Sequence, residues 1–131
     1  MKGYLADIET LTEENTAFRQ VLYTGHNLQL VLMALTPGQD IGMETHATHD
    51  QFFRIEKGHG EVVIDGVRQK IKGGDGLIVP AGAKHNVTNT GDKALRLYTI
   101  YGPPNHIDGL MEQSKAEAEA SGEVFDGVAS E

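Results

Sequence analysis

Short apolar runs, each closed by turn residues, recur along the middle of this 131-residue chain. They predict strands at Phe18–Thr24, Leu28–Thr36, Met43–Ala47, Gln51–Glu56, Glu61–Ile64, Val67–Ile71, Gly76–Val79, His85–Asn89 and Ala94–Tyr101. Asp65-Gly66 lies between two of these runs and suits a tight β-hairpin. Strands of this length and spacing are typical of an all-β sandwich or barrel.

The two ends of the chain predict helical segments instead. Residues 9–19 suit a short helix capped by Thr10 or Thr12, and residues 110–120 suit a frayed surface helix. Residues 121–131 are expected to be mobile. We therefore expect one domain over residues 1–131, with a barrel core at about 18–102 and a peripheral tail at 110–131.

The run from Leu28 to Leu35 is apolar at both alternating sets of positions. A strand with one solvated face alternates apolar and polar residues, so something must cover its second face. This pattern predicts a homodimer interface, formed with or without strand exchange. The alternative is that the N-terminal helix or the C-terminal tail covers the face within the chain.

Composition narrows the classes of partner. The net charge of −8 disfavours nucleic acid and anionic membranes, which need clustered Lys and Arg. The chain has no cysteine, so disulfides, thiolate zinc sites and cysteine nucleophiles are excluded. No apolar signal segment or membrane-spanning run is visible, and we expect a cytoplasmic protein that binds a small molecule.

The candidate chemistry lies on three of the predicted strands. Glu44 and His46 are two residues apart and share a strand face, Gln51 begins the next strand, and His85 begins a later one. If these strands line one barrel, the four side chains can converge on one point. A carboxylate, two imidazoles and an amide oxygen suit a divalent Mn, Fe, Ni, Co or Zn ion.

Each ligand has an alternative. Gln51 could instead orient a ligand imidazole, and His49 could replace it if the loop that carries it curls inward. Glu44 and Asp50 are the candidate catalytic groups, as proton shuttles, although Asp50 could be a turn residue. His26 and His59 lie in predicted turns at the surface, and His106 could fold over the barrel mouth. Tyr98, Tyr101 and Arg54 are weaker pocket candidates, since core packing and surface pairing also explain them.

Two stretches of the chain resemble the paired motifs of the cupin superfamily. The second motif is complete, with Gly74, Pro80, Gly82, His85 and Asn89 at the family's spacing. The first keeps Gly38, His46 and Gly58 but has Glu44 where the family usually has His, and Gln51 where it usually has Glu. The resemblance implies a double-stranded β-helix, or jelly-roll, barrel in a small single-domain protein with a metal at these four residues.

The same resemblance leaves the function open, because cupins include enzymes of many kinds and metal-free binding proteins. The mixed ligand set, which has no redox-specific feature, favours a metal-dependent isomerase or lyase that acts on a small polar or sugar-like substrate. The chain's loose likeness to mannose-6-phosphate isomerases is a hint to the same class. The alternatives are an Fe- or Ni-dependent dioxygenase, which needs open metal positions, and a non-catalytic module that binds a metabolite.

Overall fold

The computed structural model describes residues 2–131, which form two antiparallel sheets packed against each other and a short helix near each end. In chain order the elements are α1 (Ile8–Glu14), β1 (Arg19–Thr24), β2 (Gln29–Leu35), β3 (Glu44–Thr45), β4 (Asp50–Lys57), β5 (His59–Ile64), β6 (Val67–Lys72), β7 (Gly76–Val79), β8 (Lys84–Asn89), β9 (Leu95–Gly102), β10 (Met111–Glu112) and α2 (Lys115–Ser121). One sheet has the order β10-β1-β2-β9-β4-β7, and the other β3-β8-β5-β6. Across residues 2–131, every helix is too short or too polar to cross a bilayer.

The predicted strands are all present, and this confirms the all-β jelly-roll class. Asp65 and Gly66 both have positive φ, 47° and 82°, which is the geometry that a two-residue hairpin turn requires. The third strand is shorter than the sequence predicts, since only Glu44 and Thr45 pair with β8. His46 lies just beyond this ladder, and its carbonyl accepts a hydrogen bond from Gly82 N at 2.8 Å.

The core lies between the sheets because the inward positions of facing strands are apolar. β4 and β9 alternate buried and half-buried residues along most of their length, as a period of two requires. Their inward side chains pack with those of β2, β5 and β8 in one cluster that includes Val31, Met33, Leu35, Phe53, Ile55, Val62, Val87, Leu95, Leu97 and Tyr101.

The N-terminal helix begins and ends earlier than predicted. Its cap is Asp7, whose carboxylate accepts hydrogen bonds from Thr10 N at 3.1 Å and Thr10 Oγ1 at 2.8 Å. The prediction of Thr10 or Thr12 as the cap is therefore wrong. The helix ends at Glu14 because Asn15 is extended and its side-chain amide bonds both N and O of Ala17.

The C-terminal tail lies against the barrel and does not stand free of it. Residues 111–112 pair with β1, and helix α2 is confined to Lys115–Ser121. Further on, Ser130 N donates to Thr24 O at 2.8 Å, and Tyr23 Oη donates to Glu131 Oε2 at 2.5 Å. These hydrogen bonds hold the segment that the sequence predicts to be mobile.

The second face of β2 is covered within the chain. Leu30 and Leu32 are only 6% and 2% exposed. Leu32 shares a shallow cavity with Leu11 of α1, and Leu30 shares another with Ile8 and Tyr4. The intramolecular alternative therefore accounts for Leu30 and Leu32, whereas Leu28 at the start of the same run is 49% exposed. The homodimer stays a prediction.

This packing predicts that Leu32→Ala lowers the free energy of unfolding by about 2–5 kcal/mol. The substitution removes buried methyl groups, and the surrounding chain under α1 cannot fully collapse into the space they leave. Urea denaturation of the purified protein measures the loss. Ile78→Ala is the control, since Ile78 is 67% exposed and should change stability by less than about 0.5 kcal/mol. Equal effects of the two substitutions would contradict the covered face.

Candidate metal centre

Three side chains with metal-ligating atoms meet at one end of the small sheet. One ligand atom each from Glu44, His46 and His85 lies within 4.8 Å of the others. Glu44 and His85 are direct cross-strand partners in β3 and β8, and His46 follows two residues after Glu44. The structure thus brings together three of the four residues that the sequence pattern selects as ligands.

The hydrogen bonds around this cluster orient its nitrogen atoms. His85 Nδ1 lies 3.2 Å from Ala83 O, and because a carbonyl only accepts, this nitrogen carries the proton. His85 Nε2 then keeps a free lone pair, as a metal ligand requires. His46 Nε2 lies 3.0 Å from Glu44 Oε2, so these two ligating atoms face each other directly.

Glu44 is ionised at neutral pH in this setting. Burial alone would raise the pKa of its carboxyl group, but the hydrogen bond with His46 and the neighbouring His46, Arg19 and His85 outweigh it and lower the pKa. The cluster therefore presents one negative charge beside two imidazoles.

Gln51, the fourth candidate from the sequence, has a side-chain amide with a fixed orientation. Thr99 Oγ1 donates its one proton to Phe52 O at 2.9 Å, so it can only accept from the Gln51 amide, at 2.9 Å from Nε2. Gln51 Oε1 is thereby turned away from Thr99, and within residues 2–131 this buried oxygen has no hydrogen-bond partner. A buried acceptor without a donor costs about 1–3 kcal/mol, so an external ligand would relieve it.

Gln51 is linked to the cluster through its neighbours. It is the cross-strand partner of Tyr101, whose ring meets the ring of His46 edge-on with centroids 5.7 Å apart. Phe53, two residues further along the same face of β4, contacts the His85 ring at 6.2 Å. A carboxylate oxygen, two imidazole nitrogens and an amide oxygen fit a borderline divalent cation, so the residues present fit a metal.

The remaining sequence candidates do not join the cluster. His49 Nε2 points to the backbone, 3.0 Å from Pro104 O, and the His49 ring centroid is 5.8 Å from that of His46. Asp50 is exposed, and its Oδ1 accepts from Ala81 N at 2.9 Å, which is the bond of a turn residue. Arg54 pairs with Glu56 at 3.0 Å, and the ring of Tyr98 packs beside Phe52.

A second group of polar side chains lies beside the cluster, and sequence reasoning selected only part of it. Tyr101 is 1% exposed, and its Oη lies 3.2 Å from His106 Nε2. His106 Nδ1 lies 2.5 Å from Glu123 Oε1. Because an ionised carboxylate only accepts, Nδ1 carries the proton of a neutral His106, and Nε2 accepts from the Tyr101 hydroxyl.

A buried amide fixes the position of His106 in this chain of contacts. Gln29 is fully buried, and its amide accepts from His106 N at 2.9 Å and donates to His106 O at 2.7 Å. Burial raises the pKa of Tyr101, so its hydroxyl stays protonated at neutral pH. The alternation of β9 indicates from the sequence that Tyr101 points inward, whereas no local pattern indicates that Glu123 belongs to this group.

Comparisons with known proteins agree with the fold and the motifs. A family model described as "Cupin domain" matches residues 31–101. The chain is 41% identical over 126 residues to the uncharacterised protein YrkC of Bacillus subtilis, covering 92% of this chain and 68% of YrkC. It is 35% identical to protein L612 of Acanthamoeba polyphaga mimivirus, covering 91% of this chain and 77% of L612. The crystal structure of BH2720 from Bacillus halodurans is similar with a TM-score of 0.89 and 40% identity, covering 91% of this chain and 95% of that one.

The contact between Glu123 and His106 predicts a pH-dependent contribution to stability. Burial alone would raise the pKa of Glu123, but the hydrogen bonds from His106 and Ile107 N, with the charges nearby, lower it from its usual 4.5. The stabilisation is therefore fully present above that usual pKa and is lost as the pH falls through the lowered pKa of the folded chain.

We expect Glu123→Gln to lower the free energy of unfolding by about 1–3 kcal/mol at pH 7, and by less at pH 3. Urea denaturation at both pH values measures the difference. Glu119→Gln is the control, because the side chain of Glu119 is 69% exposed. A loss that is the same at both pH values would contradict the assignment.

Proposed function

We propose that this chain, which belongs to the cupin family, is a metal-dependent enzyme that acts on a small polar substrate inside the barrel. The proposed ligands are Glu44, His46, Gln51 and His85. The observation that carries the proposal is the donor set itself: three convergent ligand atoms and a buried amide oxygen that no described residue satisfies. Native proteins pair most of their buried polar atoms, so an unpaired oxygen beside the three ligands favours an external ligand.

The reaction class that these groups support is an isomerisation or elimination. A divalent ion bound here supplies Lewis-acid chemistry, which polarises a carbonyl or hydroxyl oxygen of the substrate. Four protein ligands leave room at a six-coordinate ion for two substrate oxygens, which favours compounds that present two neighbouring oxygen atoms.

The chain's own residues supply the proton chemistry in this proposal. Tyr101 holds a proton at Oη beside His46, and His106 Nε2 is the acceptor at its other side. Glu123 keeps the Nδ1 proton of His106 in place, so the imidazole presents a fixed tautomer to Tyr101. Glu44 remains the alternative proton shuttle from the ligand set itself.

Two alternative functions use the same barrel. An iron or nickel dioxygenase could use the same donor set, whereas a non-catalytic binding module would need no open position at the metal. Oxygen uptake by the Fe²⁺-loaded protein with a panel of enediols and diols separates the dioxygenase from the isomerase. Turnover of no compound by any metal-loaded form favours the binding module.

The first test is metal content after purification without a nickel column. We expect about one divalent ion per chain, and a rise in the melting temperature when metal is added to the stripped protein. His85→Ala should weaken metal binding at least 100-fold, since it removes a ligand. His59→Ala should leave binding unchanged, because His59 is exposed at the start of β5 and does not lie in the predicted turn. A chain that neither contains nor takes up metal would sink the proposal.

The second test concerns the unpaired amide oxygen. Gln51→Met removes Oε1 but keeps the side-chain length, so we expect metal affinity to fall about 10–100-fold. The stability of the metal-free protein should change little, because the substitution removes an unsatisfied buried acceptor together with one hydrogen bond. Isothermal titration calorimetry with Zn²⁺ and urea denaturation of the stripped protein measure the two effects. Unchanged Zn²⁺ affinity would remove Gln51 from the ligand set.

A further inference from the structure

Arg19 is a buried cation whose hydrogen-bonding capacity is largely unused. Its side chain is 8% exposed and makes one ion pair, from Nη1 to Glu112 Oε1 at 2.9 Å. A guanidinium has five N–H donors, and Arg19 Nε has no partner among residues 2–131. Glu112 Oε2 is also buried without a donor. A closed bidentate pair would satisfy both groups, whereas this pair rests on one contact and leaves guanidinium N–H groups without a partner in the chain.

Arg19 lies next to the proposed metal site. Together with Glu44 it lines an open cavity of about 190 Å³, whose apolar lining is Phe18, Ile41 and Ala118. Glu44 therefore belongs both to this cavity and to the ligand cluster. The volume corresponds to about six water molecules at the density of the liquid, and a compound of similar size would fill it.

The charges along this cavity include a second cation. Lys115 of α2 lines the wall, although its ammonium group also bonds Asp40 and lies 3.8 Å from Glu119. Glu119 lines the mouth with a side chain that is 69% exposed, so its charge is largely screened by water. Buried Arg19 is the least hydrated of these charges and should dominate the choice of ligand.

We propose that the substrate is a small carboxylate of about six heavy atoms, whose carboxylate group binds Arg19 while a second oxygen reaches the cation held at the Glu44 cluster. This inference rests on the proposed function, and it names the substrate class. Planar carboxylates match the guanidinium fork, and burial strengthens such charge-assisted hydrogen bonds.

The experiment compares lactate with its neutral isostere lactamide on the Co²⁺-loaded full chain. The visible absorption of Co²⁺ reports a ligand at the metal, and titration calorimetry gives the affinities. We expect lactate to bind at least tenfold more tightly than lactamide. Because any metal favours a carboxylate, the decisive comparison is the double variant Arg19→Met/Glu112→Met, which should lose most of that preference while keeping its Co²⁺ affinity.

The double variant removes both partners of the buried pair, since removing Arg19 alone would leave Glu112 charged and unpaired. Arg54→Met is the matched control, because that arginine pairs with Glu56 on another face of the barrel and should keep the full preference. If the double variant does not fold, Arg19→Lys, which keeps the charge but loses the planar fork, should reduce the preference at least threefold.

The outcomes distinguish the two proposals. If the chain binds no Co²⁺, the proposed metal site fails. If Co²⁺ binds normally but lactate and lactamide bind equally well, or the cavity variants keep the wild-type preference, the carboxylate inference is overturned while the metal site stands.

Discussion

The antiparallel pairing of β3 with β8 sets Glu44 directly opposite His85, and the candidate site depends on this register. Side chains alternate between the two faces of a strand, so a shift by one residue would turn Glu44 out of the barrel and leave His85 without its partner. The pairing covers only two residues of β3. The long ladder between β5 and β8 supplies the fixed frame, because Gly60 to Ile64 pair in unbroken register with His85 to Asn89.

The barrel interior contains two kinds of buried polar group. Gln29 uses both ends of its amide, donating to Thr24 Oγ1 and His106 O and accepting from Asn105 N and His106 N. Gln51 and Arg19 each keep an unpaired atom at similar burial. Native proteins leave few buried polar atoms unpaired, so we interpret the satisfied Gln29 amide as structural support. Gln51 and Arg19 lie at the two proposed sites and are interpreted as binding groups, whereas Arg96 Nε, also unpaired among residues 2–131, shows that an unpaired atom alone does not mark a site. The metal site and the cavity beside it thus each contain a buried polar group with an unpaired atom, Gln51 and Arg19.

The strands and the hairpin turn could be predicted from the sequence because each depends on a local period or a local spacing. The convergence of Glu44 and His46 with His85 could be predicted only through the resemblance to the cupin motifs, because it depends on the pairing of two distant strands. The contacts of Tyr101, His106 and Glu123 could not, since they depend on how the C-terminal tail folds back. Arg19 and Glu112 are 93 residues apart and meet only because β10 pairs with β1. For β2 the apolar pattern correctly required a cover, but a strand pattern contains no information on whether a helix of the same chain or a second subunit provides it.

The two departures from the usual cupin motif, Glu44 in place of His and Gln51 in place of Glu, also have a physical reason in this barrel. Gln51 is 3% exposed and lies beside Tyr101, and an ionised carboxylate at such a dry position would lose several kcal/mol of hydration. Glu44 has a side chain that is 31% exposed. Burial raises the pKa of its carboxyl group, but the hydrogen bond with His46 and the neighbouring His46, Arg19 and His85 lower it overall. The negative charge of the ligand set therefore lies at the more hydrated end of the cluster, next to the cation of the cavity. An amide at position 51 still offers an oxygen to a metal, and it also donates to Thr99, which a carboxylate could not do.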